Sequence, residues 1–390
     1  MLKKILIILS IFLLSSSAWA QDKIVLGCSA AMSGHAGLMG QNLVPGMQAY
    51  FNHINSQGGI NGKKIELVVL DDRYEPDKTV SNTRKFINEI KPLALIGYIG
   101  MPTTVRILDT IRKEHLPLIG PVTGAHQLHL PFNRYVFNIR NSYWAEAEVQ
   151  VDYTINDLKK DKIAVFYQND GFGISGYKGV KRALALKYNK SIVAEAVYQR
   201  DKLADDDAIK RICQSKPEVI IMVGTYDALA DFVKRVRARG LTPVFICNSF
   251  TRATPLARLL DKLGNNVIFT QVAPPPTTWS GVDLPAIRLY RKLMRAYFPD
   301  KRFTCIGMEG FIIAEVIVEG LRRCGNNLTS ENLVKVLETF RDYNPNINAN
   351  LTYTPHSREG LDLVYLTEIK NSKPNFLIKI VRKSISMYIF

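Results

Sequence analysis

The stretch from Ile24 to Asp72 constrains the fold more than any other part of the chain. It opens on an apolar run, Ile24 to Cys28, crosses a loop of small residues from Ala31-Met32-Ser33-Gly34 to Gly40, and continues into a helical pattern closed by Gly58-Gly59. Leu43, Met47, Phe51 and Ile54 recur at spacings of four, four and three, which puts them on one helical face. A second run, Ile65 to Leu70, is apolar nearly throughout and ends on Asp71-Asp72. Such a strand suits a parallel sheet covered by helices on both faces. The stretch therefore reads as one right-handed βαβ unit, with a glycine-rich turn where backbone amides can approach a ligand.

The rest of the chain repeats this unit. A helix from Pro76-Asp77 carries Val80, Phe86, Ile87 and Ile90 and stops at Pro92; strand Leu93 to Ile96 then meets the loop Gly97 to Thr104. After a helix ending near Glu114, strand Leu116 to Ile119 runs into Gly120-Pro121-Val122-Thr123-Gly124. The second half continues with helix Trp144 to Leu158, strand Lys162 to Tyr167, helix Ser175 to Tyr188 and strand Ile192 to Val197. Helix Ala204 to Gln214, strand Val219 to Val223, helix Ala228 to Arg239 and strand Val244 to Cys247 complete it. Pro274-Pro275-Pro276 reads as a linker. Helices follow near Leu284 to Phe298, near Gly307 to Arg323 and from Thr329, then strands Leu363 to Ile369 and Phe376 to Val381. A chain of 390 residues has room for two domains. The expected class is α/β, with two doubly wound βαβ lobes.

The first 20 residues stand apart. Lys3-Lys4, the apolar run Ile5 to Leu14 and Ala18-Trp19-Ala20 form the three parts of a secretory signal peptide, cut before Gln21. Export to the periplasm is the expectation. No later apolar run reaches the ~20 residues a membrane helix needs. Val25-Leu26-Gly27-Cys28 resembles a lipobox, but Asp22 and Lys23 separate it from the apolar run, so Cys28 reads as a structural cysteine. Among the five cysteines no CxxC spacing occurs, and Cys305 with Cys324 is the pair to test for a disulfide. The net charge of +16 suggests nucleic acid in a cytoplasmic protein. Here the export signal, and basic residues scattered on helix faces (Lys234, Arg235, Arg237, Arg239) without interleaved aromatics, point to a solvated surface and no nucleic-acid partner.

Several motifs mimic catalytic or cofactor sites. Gly171-Phe172-Gly173-Ile174-Ser175-Gly176 has the G-x-G-x-x-G spacing, but Asp170 would repel a pyrophosphate and Glu195 falls in mid-strand. His126 and His129 have no third ligand nearby. Asp205-Asp206-Asp207 sits where helix N-termini collect acids. No nucleophile elbow, zincin motif or Walker loop occurs, so neither catalysis, nor a cofactor, nor a metal is expected. Binding is better supplied. Gly100, Met101, Pro102, Thr103 and Thr104 present amides and hydroxyls at a helix start. Ser33, Thr123, Gly124, Tyr143, Phe172 and Tyr226 fall at strand ends or just beyond, where open α/β sheets bind ligands.

These features together resemble the type I periplasmic binding proteins of the branched-chain amino acid (Leu/Ile/Val) ABC-transporter class. The resemblance is carried by Ala31 to Gly34, Ile54-Asn55-Ser56-Gln57-Gly58-Gly59-Ile60-Asn61-Gly62, Leu70-Asp71-Asp72, Gly97 to Thr104, Leu116 to Pro121 and Val165 to Gly173. It implies two α/β lobes joined by three crossovers, hinge closure over a small ligand, and delivery to an ABC permease by a monomer. Residues 22–142 with about 274–350 would form one lobe, 143–273 with about 351–382 the other, and 383–390 a tail. The pocket departs from the amino-acid pattern. Met39 stands where the family carries an aromatic, and Met101-Pro102 with Thr103 stands where a serine grips the carboxylate. Tyr143 replaces an aspartate and Ser249 the acid that holds the ammonium, whereas Phe172 and Tyr226 match. Losing both acids leaves a buried ammonium uncompensated, so the ligand is expected to be a carboxylate, amide or more apolar molecule and not a simple α-amino acid. Glu309 is the residue that would restore one negative charge. A ligand sensor presenting its closed form to a receptor is the alternative that the same fold allows.

Overall fold

The computed structural model describes residues 23–34, 36–278 and 280–382; the expected signal peptide and the tail from 383 lie outside the described residues. Two separate sheets organise the chain. The first contains β1 (Ile24–Ala30), β2 (Ile65–Asp71), β3 (Ala94–Ile96), β4 (Leu118–Ile119) and β5 (Val136–Phe137), in the order β2-β1-β3-β4-β5. All its pairings are parallel, with Leu26 opposite Leu67 and Ala94. The connecting helices are α1 (Gly37–Ser56), α2 (Pro76–Lys85), α3 (Met101–Thr104) and α4 (Leu108–Lys113).

After β5 the chain passes to the second sheet through α5 (Tyr143–Asp152). There β6 (Ile163–Gln168), α6 (Gly171–Tyr188), β7 (Ala194–Tyr198), α7 (Asp206–Gln214), β8 (Val219–Val223), α8 (Tyr226–Ala238), β9 (Val244–Cys247), α9 (Ala253–Leu260) and β10 (Val267–Gln271) alternate. Every residue of β6 and β8 is buried, as expected where helices cover both faces. The chain then returns to the first half as α10 (Pro285–Tyr297), α11 (Cys305–Cys324) and α12 (Ser330–Leu337), and crosses once more to end in β11 (Leu363–Lys370) and β12 (Lys373–Arg382). These two strands pair antiparallel, completing the order β12-β11-β10-β9-β8-β6-β7. Residues 351–360, expected with the second lobe, still bond to the first half: Tyr353 N donates to Phe340 O at 3.0 Å and Arg358 Nε to Arg134 O at 3.3 Å.

Helix α11 is apolar through most of its length and packs along α1. The two backbones come so close that a Cβ on Gly46 would lie 2.0 Å from Gly307 O, and one on Gly310 would lie 2.3 Å from Leu43 O. Only glycine tolerates that approach, and the crossing fixes where the N-terminus of α11 points.

The acids of two suspect motifs turn out to be helix caps. Asp170 accepts from Gly173 N at 3.1 Å at the start of α6, and Asp205 accepts from Ala208 N at 2.7 Å at the start of α7. His126 stacks on Trp144 at 3.9 Å, while His129 Nδ1 lies 3.1 Å from Glu359. The pair singled out for a disulfide test does not form one: all five cysteines are free, and Cys305 and Cys324 terminate the same 20-residue helix. At ~1.5 Å per residue they stand roughly 28 Å apart, far beyond the reach of a disulfide. Cys28 is a buried strand residue whose Sγ donates to Gly97 O at 3.7 Å, and burial pushes its thiol well above the ordinary range.

Candidate functional site

The loops beyond the strand ends bring the two halves face to face. At the tips of β3 and β4, Gly100 adopts φ +89° and opens α3; a Cβ there would lie 2.2 Å from the Tyr74 ring. Met101 reaches across to pack on Gly171 at the start of α6. Thr123 Oγ1 and Tyr143 Oη are 3.2 Å apart, Tyr143 meets the Phe172 ring edge-on at 5.3 Å, and Phe172 lies 5.0 Å from Phe250. The amide of Tyr143 donates to Gly124 O at 2.7 Å. The sequence thus brought Met101, Thr123, Gly124, Tyr143 and Phe172 to one place.

Most of their polar groups, however, are held by other protein groups, while the buried Thr104 hydroxyl has no partner among the described residues. Thr103 is fully buried and its hydroxyl donates back to Ile99 O and, at 2.9 Å, to Gly100 O. Thr104 is equally buried, and Pro102 is the second residue of the short helix. Ser33 is exposed and tied by its amide and hydroxyl to Asp71. Tyr226 lies beneath the Arg252 guanidinium, 4.7 Å from its ring centre. Tyr74, which the sequence reading missed, fills the crevice with φ +66° and the Arg200 guanidinium 5.2 Å above its ring. Only about 60 Å³ of open space remains here, shared by Tyr74, Phe172, Tyr226, Phe250, Arg252 and Met39.

A larger cavity of about 310 Å³ opens behind this crevice, toward the crossovers. Its walls come from the first turns of α1 (Leu38, Met39, Gln41), α9 (Ala253, Thr254, Pro255) and α11 (Cys305, Ile306), with Arg140, Ser249, Phe250, Gln271 to Ala273 and Glu309 between them. Of the residues singled out from sequence, Met39, Ser249 and Glu309 reach it. Two of these carry less free polarity than expected. Ser249 gives both its amide and its hydroxyl to Glu146, at 2.8 and 2.7 Å, and Thr270 adds a third donor to the same carboxylate. Glu309 cannot supply an uncompensated negative charge, because Arg140 Nε and Nη2 engage its two oxygens at 2.8 and 3.2 Å. Both side chains of this pair are almost wholly buried. Burial opposes the arginine charge, but Glu309 more than offsets it and holds Arg140 above its ordinary pKa. Burial, then the same carboxylate, pushes the Cys305 thiol up to about 12.

Arg140, Glu146, Phe250 and Arg252 escaped the sequence reading. Arg140 carried one usable signal: it is a lone cation between the apolar segment ending at Ile139 and the crossover at Asn141. Glu146 and Arg252 lie in ordinary helix and loop contexts and gave none. Among the described residues no cluster of His, Cys, Asp and Glu has the arrangement of a metal site, and no helix is long and apolar enough to cross a membrane.

Two halves of parallel α/β structure, crossed three times by the chain and closing on a shared cavity, define the type I periplasmic binding protein fold. Residues 23–374 match the periplasmic binding protein family, and the chain belongs to it. An amino acid binding protein of Pseudomonas aeruginosa is 27% identical over 233 residues, which are 59% of this chain and 61% of that protein. A Leu/Ile/Val-binding protein homolog of Brucella melitensis is 23% identical over 344 residues, 87% of this chain and 89% of its own length. In three dimensions, a possible leucine/isoleucine/valine-binding protein of Rhodopirellula baltica SH 1 aligns with a TM-score of 0.85 and 27% identity, covering 94% of this chain and 98% of that one.

Proposed function

We propose that the protein is an exported solute-binding protein: it captures a small organic molecule between its two lobes by hinge closure and delivers it, as a monomer, to an ABC permease. The leader would be removed after Ala20 and the mature chain would work in the periplasm. We take the lobes as residues 22–142 with about 274–350, and 143–273 with about 351–382, with the segment 351–360 still bonded to the first.

One observation carries this reading above the others. The cavity of about 310 Å³ takes its walls from α1 and α11 on one side and α9 on the other, with crossover residues at its floor. A molecule seated there touches both halves only when they are together, so its differential affinity favours the closed population. Family membership supports the same reading, since the family binds solutes. The relatives' names point to amino acids, but this cavity offers an α-ammonium group no free carboxylate in its depth: Glu309 is paired with Arg140 and Asp300 is exposed at the rim. The ligand is therefore not a simple α-amino acid.

Native mass spectrometry of the protein purified from its exported form is expected to reveal a co-purifying small molecule. After that molecule is removed, adding it back should lower the radius of gyration in small-angle scattering. A radius unchanged by every candidate solute would sink the reading.

A further inference from the structure

We propose that Tyr74 is a latch between the lobes: a strained turn on the first half aims its ring into the crevice, where Arg200 of the second half covers it, and this contact draws the hinge toward closure before a ligand is bound. The proposal rests on the hinge-closure reading and adds to it the residue that sets how much of the closed state the protein populates by itself.

The turn supplies the first argument. Glu75 N donates to Asp72 O at 2.8 Å, and the two residues between them, Arg73 and Tyr74, have φ of +53° and +66°. That is the pattern of a type I′ turn, whose central positions ordinarily carry asparagine, aspartate or glycine. A bulky side chain there is strained and persists only where its surroundings fix it. Here they do. Asp71 Oδ1 accepts from Arg73 N and Asp72 Oδ1 from Tyr74 N, both at 2.9 Å. The wholly buried Asp72 is held in turn by the Ser29 and Thr79 hydroxyls, at 2.9 and 3.0 Å. Glycine at position 74 would relieve the strain but would place no ring.

The surroundings of the ring supply the second. Gly100, at φ +89°, leaves the space that the ring fills, since a Cβ there would lie 2.2 Å from Tyr74 Cε2. From the other half, two residues beyond β7, the Arg200 guanidinium stands 5.2 Å from the ring centre. The acid nearest in sequence, Asp201 at 3.8 Å from Arg200, belongs to the same loop and so ties no halves together. Burial, then Tyr143 and Asp170, push the Tyr74 hydroxyl far above the ordinary tyrosine range, against a lowering from Arg200. The ring therefore stays neutral, and its face is free to attract a cation. With about 60 Å³ of open space left in the crevice, the pair is partly shielded from water, which strengthens such a contact.

Both partners belong to the protein, and neither lines the larger cavity. Their contact therefore stabilises the closed arrangement whatever that cavity holds. A ligand seated there meets a larger closed fraction, and its apparent affinity rises in proportion. Met101, packed on Gly171, bridges the halves beside the latch, so losing Tyr74 opens the lobes in part.

Small-angle scattering of the mature full-length protein, stripped of any co-purifying molecule, tests this. Arg200→Ala should lower the closed-to-open ratio by about threefold and Tyr74→Ala by about tenfold, each read as a larger radius of gyration. Tyr74→Phe keeps the ring face and should keep the parent radius. Tyr74→Gly separates the latch from the turn: it relieves the left-handed strain, so it should melt at a higher temperature than Tyr74→Ala yet open the lobes as far. Should Tyr74→Ala fail to fold, Arg200→Ala at the half-buried partner and Tyr74→Phe still decide the matter. Parent radii for both Arg200→Ala and Tyr74→Gly overturn the latch, and so does an opening by Tyr74→Phe as large as that by Tyr74→Gly. If the variants open but no solute closes parent or variant, the latch stands and the solute-binding reading falls; if a solute closes the parent while no variant opens it, the reading stands and the latch falls.

Discussion

The strand-tip crevice and the cavity behind it lie between the same two halves and share Met39, Phe250 and Arg252, yet they are built to opposite rules. In the crevice, Tyr74, Met101, Tyr143 and Phe172 interlock, and the hydroxyls of Thr103 and Thr123 bond to neighbouring protein groups. The cavity instead stays open: about 310 Å³ lies between the first turns of three helices, and its buried cation, Arg140, is paired with Glu309. Position at a strand tip therefore tells where the lobes meet. Whether a group can serve a ligand depends on which protein group already holds it.

The sharpest way to break this contrast is to remove Arg140. Arg140→Met strands the Glu309 carboxylate in a site where both side chains are nearly buried, and should cost about 3–5 kcal/mol in chemical denaturation. A variant as stable as the parent would mean that the pair is wetter than its geometry implies. The crevice is probed next by Gly100→Ala. Its φ of +89° strains any L side chain, and the new Cβ would collide with the Tyr74 ring at 2.2 Å. Strain and overpacking together should cost about 2–4 kcal/mol. A loss below 1 kcal/mol would show that Tyr74 swings aside easily and that the crevice is less firmly filled than the contacts suggest.

The sequence made the architecture legible because periodicity and glycine placement are local signals. The βαβ unit from Ile24 to Asp72 appears as β1, α1 and β2, the strand ends within two residues and the helix starting at Gly37 inside the expected loop, and the terminal strands pair as a hairpin at Leu363–Lys370 and Lys373–Arg382. The encounter of Met101, Thr123, Tyr143 and Phe172 was legible for the same reason, since each follows a strand end. What stayed hidden depends on partners distant in the chain. Glu309 finds Arg140 across 169 positions and Ser249 finds Glu146 across 103. Nothing local in Met308-Glu309-Gly310 or Asn248-Ser249 announces that their charge and hydroxyl are already committed. The disulfide question stayed open for a related reason: spacing alone did not place Cys305 and Cys324 at opposite ends of one helix.

Helix α11 carries a second buried glutamate that sharpens the electrostatic side of the comparison. Glu309 has an arginine; Glu315 has only the Asn346 amide, at 2.9 Å, and its other oxygen lacks a partner among the described residues. Burial raises the Glu315 pKa from 4.5 to about 7, against a smaller lowering from Asn346. Between those values the folded state binds more protons than the unfolded one, so stability falls as pH rises through this window and stays low above it. Glu315→Gln should abolish that slope and stabilise the protein by about 2–3 kcal/mol at pH 8, with little effect at pH 4.5. Parallel pH–stability curves for parent and variant would show that Glu315 ionises as freely folded as unfolded.

The smallest effect is expected from Phe172→Leu, and it separates the two regions most directly. Phe172 bridges Tyr143 and Phe250 through ring contacts of 5.3 and 5.0 Å, so replacing it loses two aromatic pairings while keeping an apolar side chain in place. Stability should fall by about 1 kcal/mol. Because Phe172 lines the narrow crevice and not the larger cavity, the affinity for the co-purifying ligand should stay within about twofold of the parent value in titration calorimetry. If Phe172→Leu instead weakened ligand binding by about tenfold, the ligand would have to sit in the crevice after displacing Tyr74. The cavity would then be an access route.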